Sequence, residues 1–322
     1  MISVAVIVVK KLIKSPVCFS FTALLALFLF VQPAHCAEKY DVIVIESSGF
    51  RTFEDVVAGF KSTCNCNIKK IIPIDVYSDI TLDEVYRLKP RVIFAIGAKA
   101  LRYLSVINDL PIVYTMVSRP RTIVEEKKNI IGVSTEVPFE KQLNAISRIF
   151  PSVKRLGIMY NPADSINTTT FNNISSKAAL LKITLTEGKF HNSKGLISAV
   201  DLMDGNIDSL WLTPDPLMTS PELIEYIMLH SIKYGIPVFS FMDRHLELGA
   251  SLVITTDPGD VGTQAGEIAN IMSRSLQPEN YINESKFATV MINKLVASKM
   301  GCPIAESYKN KNIFKIDLMK KN

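Results

Sequence analysis

Short apolar runs recur along this chain, and each stops abruptly at small or polar residues. "DVIVIESSG" ends at Ser47-Ser48-Gly49, "RVIFAIGAKA" at Gly97-Ala98 and "PIVYTMVSRP" at Ser118-Arg119-Pro120. "KRLGIMYNPADS" ends at Asn161-Pro162, "SLWLTPDP" at Thr213-Pro214-Asp215 and "PVFSFMD" near Asp243. Runs this short and this continuously apolar fit strands buried on both faces. A further strand is expected near Ile71–Ile74.

Helical patterns fill the intervals. "TFEDVVAGFKS" puts Phe53, Val56, Val57 and Phe60 on one face, and "FEKQLNAISRIF" does the same with Phe139, Leu143, Ile146 and Phe150. "TLDEVYRL" offers Thr81 as an N-cap, and "AKALRYLSV" follows the Gly97 strand end. "SPELIEYIMLHSIKYG" carries Ser220 as cap, Pro221 in the first turn and Gly235 as the stop, the usual asymmetry of helix ends. "DPGDVGTQAGEIANIMSRSL" repeats the plan with Asp257 or Asp260 as cap.

Strand–helix–strand alternation of this kind predicts an α/β fold with parallel sheets and helices on both faces. The plan occurs twice, from about Tyr40 to Val133 and again from Lys154, with the strand-like "NIIGVSTEVP" as a crossover between. In open α/β sheets ligands bind outside the carboxyl ends of the strands, where helix N-termini present free N–H groups. The polar stops are therefore the expected walls of a cleft between two lobes.

The composition agrees with a globular protein: 322 residues, 48% hydrophobic and 21% charged, with a net charge of +5. No basic stripe with interleaved aromatics is present, so no nucleic-acid partner is expected. The first residues do not belong to the fold. Lys10, Lys11 and Lys14 precede the uncharged run from Ser15 to Ala34 and then "QPAHCAEKYD", the layout of a signal peptide cut before Ala37. Residues 1–36 are thus expected to be removed on export. Retention as a membrane anchor and lipidation at Cys36 are the two other readings.

Candidate chemistry is sparse. Nucleotide loops of the GxGxxG or GxxxxGK[ST] type and a GxSxG elbow are all missing. Of the histidines, His35 falls in the signal segment, His191 in a polar turn and His230 inside a helix. His245 in "MDRHLELGA" is the best catalytic candidate, with Asp243 beside it, but no nucleophile motif partners it. Cys64 and Cys66 are expected to be unpaired thiols at a helix end, too close on an extended segment for a disulfide. Pairing of either with Cys302 is left open. No metal-ligand spacing occurs, and neither metal nor cofactor is expected.

Three longer stretches carry a family resemblance. They are "NIIGVSTEVPFEKQLNAISRIFPSVKRLGIMYNPADS", "GIPVFSFMDRHLELGASLVITTDPGDVGTQAGEIANIM" and the close "MINKLVASKMGCPIAES". In order and spacing they resemble the ABC-transporter substrate-binding protein family that includes tryptophan- and tyrosine-type binding components. The resemblance covers nearly all of the chain after the signal segment. It implies a type I periplasmic-binding-protein fold of two Rossmann-like lobes joined by a three-strand hinge. It also implies a monomer that hands a small ligand to a membrane permease, and no catalysis. Two departures stand out: Pro303-Ile304 reverses the usual order, and the turn Gly97-Ala98-Lys99-Ala100 lacks the family's threonine and proline.

On this reading lobe one is 40–132 plus 256–281, and lobe two is 133–255 plus 282–322. The ligand is expected to be an amino acid or related carboxylate. Ser47, Ser48, Gly97, Ala98, Thr115 and Met116 would hold it from lobe one. Asn161 and Ser165, which match the family's Asn-Pro…Ser corner, would act from lobe two with Asp215 on an ammonium and Phe241 on a ring. Lys99 offers an alternative, a larger acidic ligand. Two rival functions remain: a sensor domain feeding a membrane receptor, and a cleft enzyme using His245 and Asp243.

Overall fold

The computed structural model describes residues 39–47, 52–74, 81–118, 120–124, 127–163, 166, 168–276, 278 and 280–320. The expected signal segment, with Cys36 and His35, lies outside them, as do Ser48 and Ser165. The first sheet holds six strands in the order β11-β5-β4-β3-β1-β2. These are β1 (Tyr40–Ser47), β2 (Cys66–Ile74), β3 (Val92–Ile96), β4 (Ile112–Thr115), β5 (Ile130–Val133) and β11 (Ile282–Asn283). All its pairings are parallel. The second sheet runs β13-β12-β10-β9-β8-β6-β7. Its strands are β6 (Arg155–Tyr160), β7 (Thr184–Lys189), β8 (Ser209–Leu212), β9 (Val238–Ser240), β10 (Leu252–Thr255), β12 (Phe287–Ile292) and β13 (Ile313–Asp317). Here β12 pairs antiparallel with both β10 and β13, an exception to the expected parallel plan.

Alternate residues of each central strand enter different cores. Val42 and Val44 of β1 join Phe60 and Phe94 on one face, while Ile43 and Ile45 join Leu101 and Leu104 on the other. The second sheet divides likewise, Trp211 to one side of β8 and Leu210 and Leu212 to the other. Period-two side chains on a strand covered twice must all be apolar, which is why these runs showed no alternation.

Ten helices cover the sheets: α1 (Thr52–Thr63), α2 (Leu82–Arg87), α3 (Ala98–Leu104), α4 (Phe139–Ile149), α5 (Thr168–Leu180), α6 (Ser193–Leu202), α7 (Pro221–Tyr234), α8 (Arg244–Glu247), α9 (Pro258–Met272) and α10 (Lys294–Lys299), all among the described residues. Thr81 caps α2 by accepting the Glu84 N–H, Asp257 caps α9 by accepting that of Asp260, and Gly235 closes α7 at φ 66°. Ser220 does not cap α7 through its side chain; its hydroxyl donates to Glu222 at 2.6 Å.

The chain passes between the sheets three times. After β5 it enters α4, which packs under Trp211; after β10 it enters α9, which packs on α1 in the first core; after β11 it enters β12. Val133, Ile282 and Asn283 pair within the first sheet. Polar side chains tie the passages together. Thr256 donates its hydroxyl to the Thr135 carbonyl at 3.0 Å. Gln264 of α9 donates to the Glu284 carbonyl and accepts from the Lys286 N–H.

Cys64 and Cys66 form a disulfide with Cα atoms 5.3 Å apart, correcting the expectation of unpaired thiols. The segment is not extended there: α1 ends at Thr63 and the chain turns at Asn65, so the two side chains can converge. Asn270 of α9 fixes this turn, accepting from the Asn65 N–H and the Tyr40 hydroxyl and donating to the Thr63 carbonyl. Cys302 is free and buried. Burial pushes its thiol up to about 11, and a thiol that stays protonated is a poor nucleophile. Alkylation at pH 8 is expected to leave Cys302 unmodified in the folded protein and to label it in urea; peptide mass mapping that finds it labelled in both would refute its burial.

Candidate functional site

The polar strand ends converge between the two sheets. One cavity of about 440 Å³ is lined by Met116 and Ser118 after β4, by Thr135 to Val137 in the first passage, and by Phe241 to Asp243 after β9. Thr255 to Pro258, Gln142 and Met291 complete it. A second, of about 500 Å³, is lined by Ala98 and Arg102 of α3, Ile123, Phe139, Asp215 and Thr219. Both include Ser118, Glu136, Pro214 and Phe241, so they are two parts of one cleft. Its size suits a small molecule.

Of the expected site residues, Ala98, Met116, Asp215 and Phe241 lie on the cleft. Met116 has a positive φ of 57°, a conformation that costs a non-glycine residue on the order of 1–3 kcal/mol and tends to persist at ligand sites. Asp215, 6% exposed, turns one carboxylate oxygen to the Leu217 N–H at 2.8 Å and so opens the short turn Pro216–Thr219.

The remaining described candidates sit behind the wall. Ser47 is expected to meet a ligand, but its Oγ accepts the backbone N–H groups of Lys99 and Ala100 at 3.1 and 3.2 Å. It caps α3, the helix of the neighbouring strand. Gly97, at φ 89°, lets that approach happen, since a Cβ there would stand 2.6 Å from the Ser47 Oγ. Thr115 is fully buried and donates to the Val133 carbonyl at 3.1 Å. Asn161 accepts the Ala163 N–H at 3.1 Å and shapes its own turn.

Residues not expected from the sequence complete the walls. Glu136, Thr135 and Asp257 come from the passages between sheets, and Met291 from antiparallel β12. Gln142 is 3% exposed; it donates to the Val137 carbonyl at 2.7 Å and accepts from the Trp211 indole at 3.1 Å. That pins the first passage to β8. The only legible signal for Glu136 and Asp257 was their place in the crossover segments. Among the described lining residues of the two cavities the acids are Glu136, Asp215, Asp243 and Asp257, and the one cation is Arg102.

His245 does have a hydroxyl partner: Ser240 Oγ lies 2.6 Å from its Nδ1. The pair is buried, each residue at 2% exposure, and neither lines the cleft. No group of three or more metal-ligating side chains occurs among the described residues, and none of their helices is long and apolar enough to cross a membrane.

Two α/β halves with a cleft at the carboxyl ends of their strands define the architecture of a type I periplasmic binding protein. The family model described as ABC transporter substrate binding protein matches residues 81–312, and the chain belongs to that family, whose members bind solutes and are not enzymes. A tyrosine-binding protein of Clostridioides difficile is 22% identical over 241 residues, covering 72% of this chain and 67% of the relative. Two solved structures share the fold. A ligand-free, open substrate-binding protein from Clostridium difficile superposes with a TM-score of 0.65 at 18% identity, covering 85% of this chain and 97% of its own. An ABC domain from Streptococcus pneumoniae in complex with L-tryptophan gives 0.60 at 18% identity, covering 85% and 98%.

Proposed function

We propose that this chain is the exported, extracytoplasmic binding component of an ABC-type importer, holding an amino acid or related carboxylate between two lobes that close on it. The observation that carries the reading is the shared cleft itself, walled by strand ends and helix starts of both sheets. The signal-like N-terminus, the family and the relatives named for tyrosine and crystallised with L-tryptophan support it. Phe241, Met116, Met242 and Met291 supply an apolar, adaptable lining for a side chain, and Asp215 supplies a partner for an ammonium. The three passages act as the hinge, and the permease receives the closed form. The protein works as a monomer.

A thermal-shift screen against amino acids, short peptides and organic acids tests the ligand. A ligand at about 100 times its Kd stabilises the bound form by roughly 2.7 kcal/mol. L-Tyrosine or L-tryptophan is expected to give such a shift. No shift with any aromatic amino acid, and a shift with acidic ligands instead, would transfer the role to Arg102, the one cation among the described lining residues.

A further inference from the structure

The cleft is acidic. Its described lining carries Glu136, Asp215, Asp243 and Asp257 against one cation, Arg102. A carboxylate that enters meets repulsion from those four and must find its partner among the donors that remain. The start of α3 has few to give. Ser47 Oγ accepts the N–H groups of Lys99 and Ala100, the Leu101 N–H donates to the Gly97 carbonyl at 3.1 Å, and Ala98 brings only a methyl side chain. Arg102 stands one turn further along. Four residues apart, Ala98 and Arg102 share a face of the helix, and both line the second cavity together with Asp215 and Thr219 of the other half. Arg102 is exposed, and no ion pair or side-chain hydrogen bond among the described residues engages its guanidinium.

We propose that Arg102 is the carboxylate anchor of the ligand site, the residue that selects acids over their amides in an otherwise acidic cleft. The proposal rests on the reading that this cleft binds an amino acid or related carboxylate. A guanidinium suits the task. It keeps its charge at every working pH, and its paired donors match the two oxygens of a carboxylate. The anchor also sets the direction of the ligand. Arg102 and Asp215 both belong to the second cavity, so the charged head of an amino acid lies there, its carboxylate toward α3 and its ammonium toward the turn after β8. The first cavity has no cation in its described lining and is walled in part by Met116, Phe241, Met242 and Met291, so the side chain lies there.

Two other effects of the same charge can be told apart from an anchor. Lys99 carries an equal charge on the same helix but lines neither cavity. It acts on a ligand only through the general field, which salt screens over about 8 Å at physiological strength. Lys99 therefore reports field without contact. A latch, in which Arg102 pairs with Glu136 or Asp215 as the lobes close, would serve every ligand alike and predicts equal losses for an acid and its amide when Arg102 is removed.

Calorimetry with L-tryptophan and L-tyrosine, each beside its carboxamide, tests this at about pH 6, where the amines stay protonated. The wild type is expected to prefer each acid over its amide by roughly tenfold or more. Arg102→Gln should lose that preference by weakening the acids alone, and Lys99→Gln should keep it. Glutamine is as good a helix former as arginine, so thermal unfolding of both variants without ligand should match the wild type. Unchanged acid binding in Arg102→Gln, equal losses for acid and amide, or the same loss in Lys99→Gln would each overturn the proposal. A wild type that binds no aromatic amino acid but does bind another carboxylate of the thermal-shift screen counts against the ligand reading alone, and the comparison of acid with amide is then made on that carboxylate. A wild type that binds no carboxylate, or binds the amides as tightly as the acids, overturns the Arg102 proposal.

Discussion

Asp215→Asn is expected to weaken binding of an amine-bearing ligand by roughly 10- to 150-fold while leaving the fold as stable as before. The carboxylate has a structural job and a proposed functional one. Its structural job is to accept the Leu217 N–H at 2.8 Å, and an asparagine Oδ1 accepts the same N–H. Alanine would lose that contact at a cost of about 0.5–2 kcal/mol if the turn behaves as a helix cap does, which would confuse the result. Its proposed functional job is to meet an ammonium, a charge-assisted hydrogen bond worth about 1.5–3 kcal/mol, and this asparagine cannot do. Calorimetry with L-tryptophan, L-tyrosine and their deaminated carboxylates distinguishes the jobs: the amino acids should lose affinity and the simple carboxylates should not. If Asp215→Asn binds the amino acids unchanged, the ammonium sits elsewhere. Glu136 and Asp243 are then the carboxylates to test, since both line the cleft.

The parts of this fold that the sequence made legible are those whose burial leaves no choice of residue. Strands β1, β3, β4, β6 and β8 are covered on both sides, and their apolar runs with polar stops were visible for that reason. Strands β7, "TLTEGK", and β13, "IFKID", lie at sheet edges with partly exposed faces, and nothing in their composition separates them from loops. The antiparallel turn of β12 follows from which strand it meets, a long-range fact no local pattern contains. The site was legible only at one level. Strand ends do line a cleft between the sheets, yet a small hydroxyl at a strand end serves a ligand or a neighbouring helix equally well. Ser47 and Thr115 turned out to be held by the backbone of their own sheet half. The acids of the passages, Glu136 and Asp257, follow no strand-end pattern, although a cleft between two sheets must also be lined by the segments that join them. His245 shows the same limit from the other side. Its hydroxyl partner lies five residues earlier on a strand end, in no nucleophile motif, and the burial of the pair is not displayed by the sequence.

Gly262→Ala is expected to cost at least about 2 kcal/mol, against the usual sign of a glycine replacement inside a helix. An alanine in mid-helix gains about 1 kcal/mol over glycine from propensity alone. Gly262 lies in α9, where that helix crosses α1, and a Cβ on it would stand 2.0 Å from the Val56 carbonyl oxygen and 3.0 Å from the Phe60 nitrogen. Those are backbone atoms of a buried helix, so no side chain can swing aside; the two helices must part. Parting them strains Thr63, whose hydroxyl donates to the Thr263 carbonyl at 2.7 Å, and opens the core around Val56, Phe60, Val261 and Ala265. Overpacking of this kind costs about 1–3 kcal/mol and more where backbone must move, so the clash outweighs the propensity gain. Gly195→Ala in α6 is the control. Its Cβ would meet nothing closer than the Asn192 Oδ1 at 3.5 Å, so propensity should win there by up to about 1 kcal/mol. Urea unfolding of both variants checks the pair, and equal midpoints would show that α1 and α9 are not packed at backbone distance.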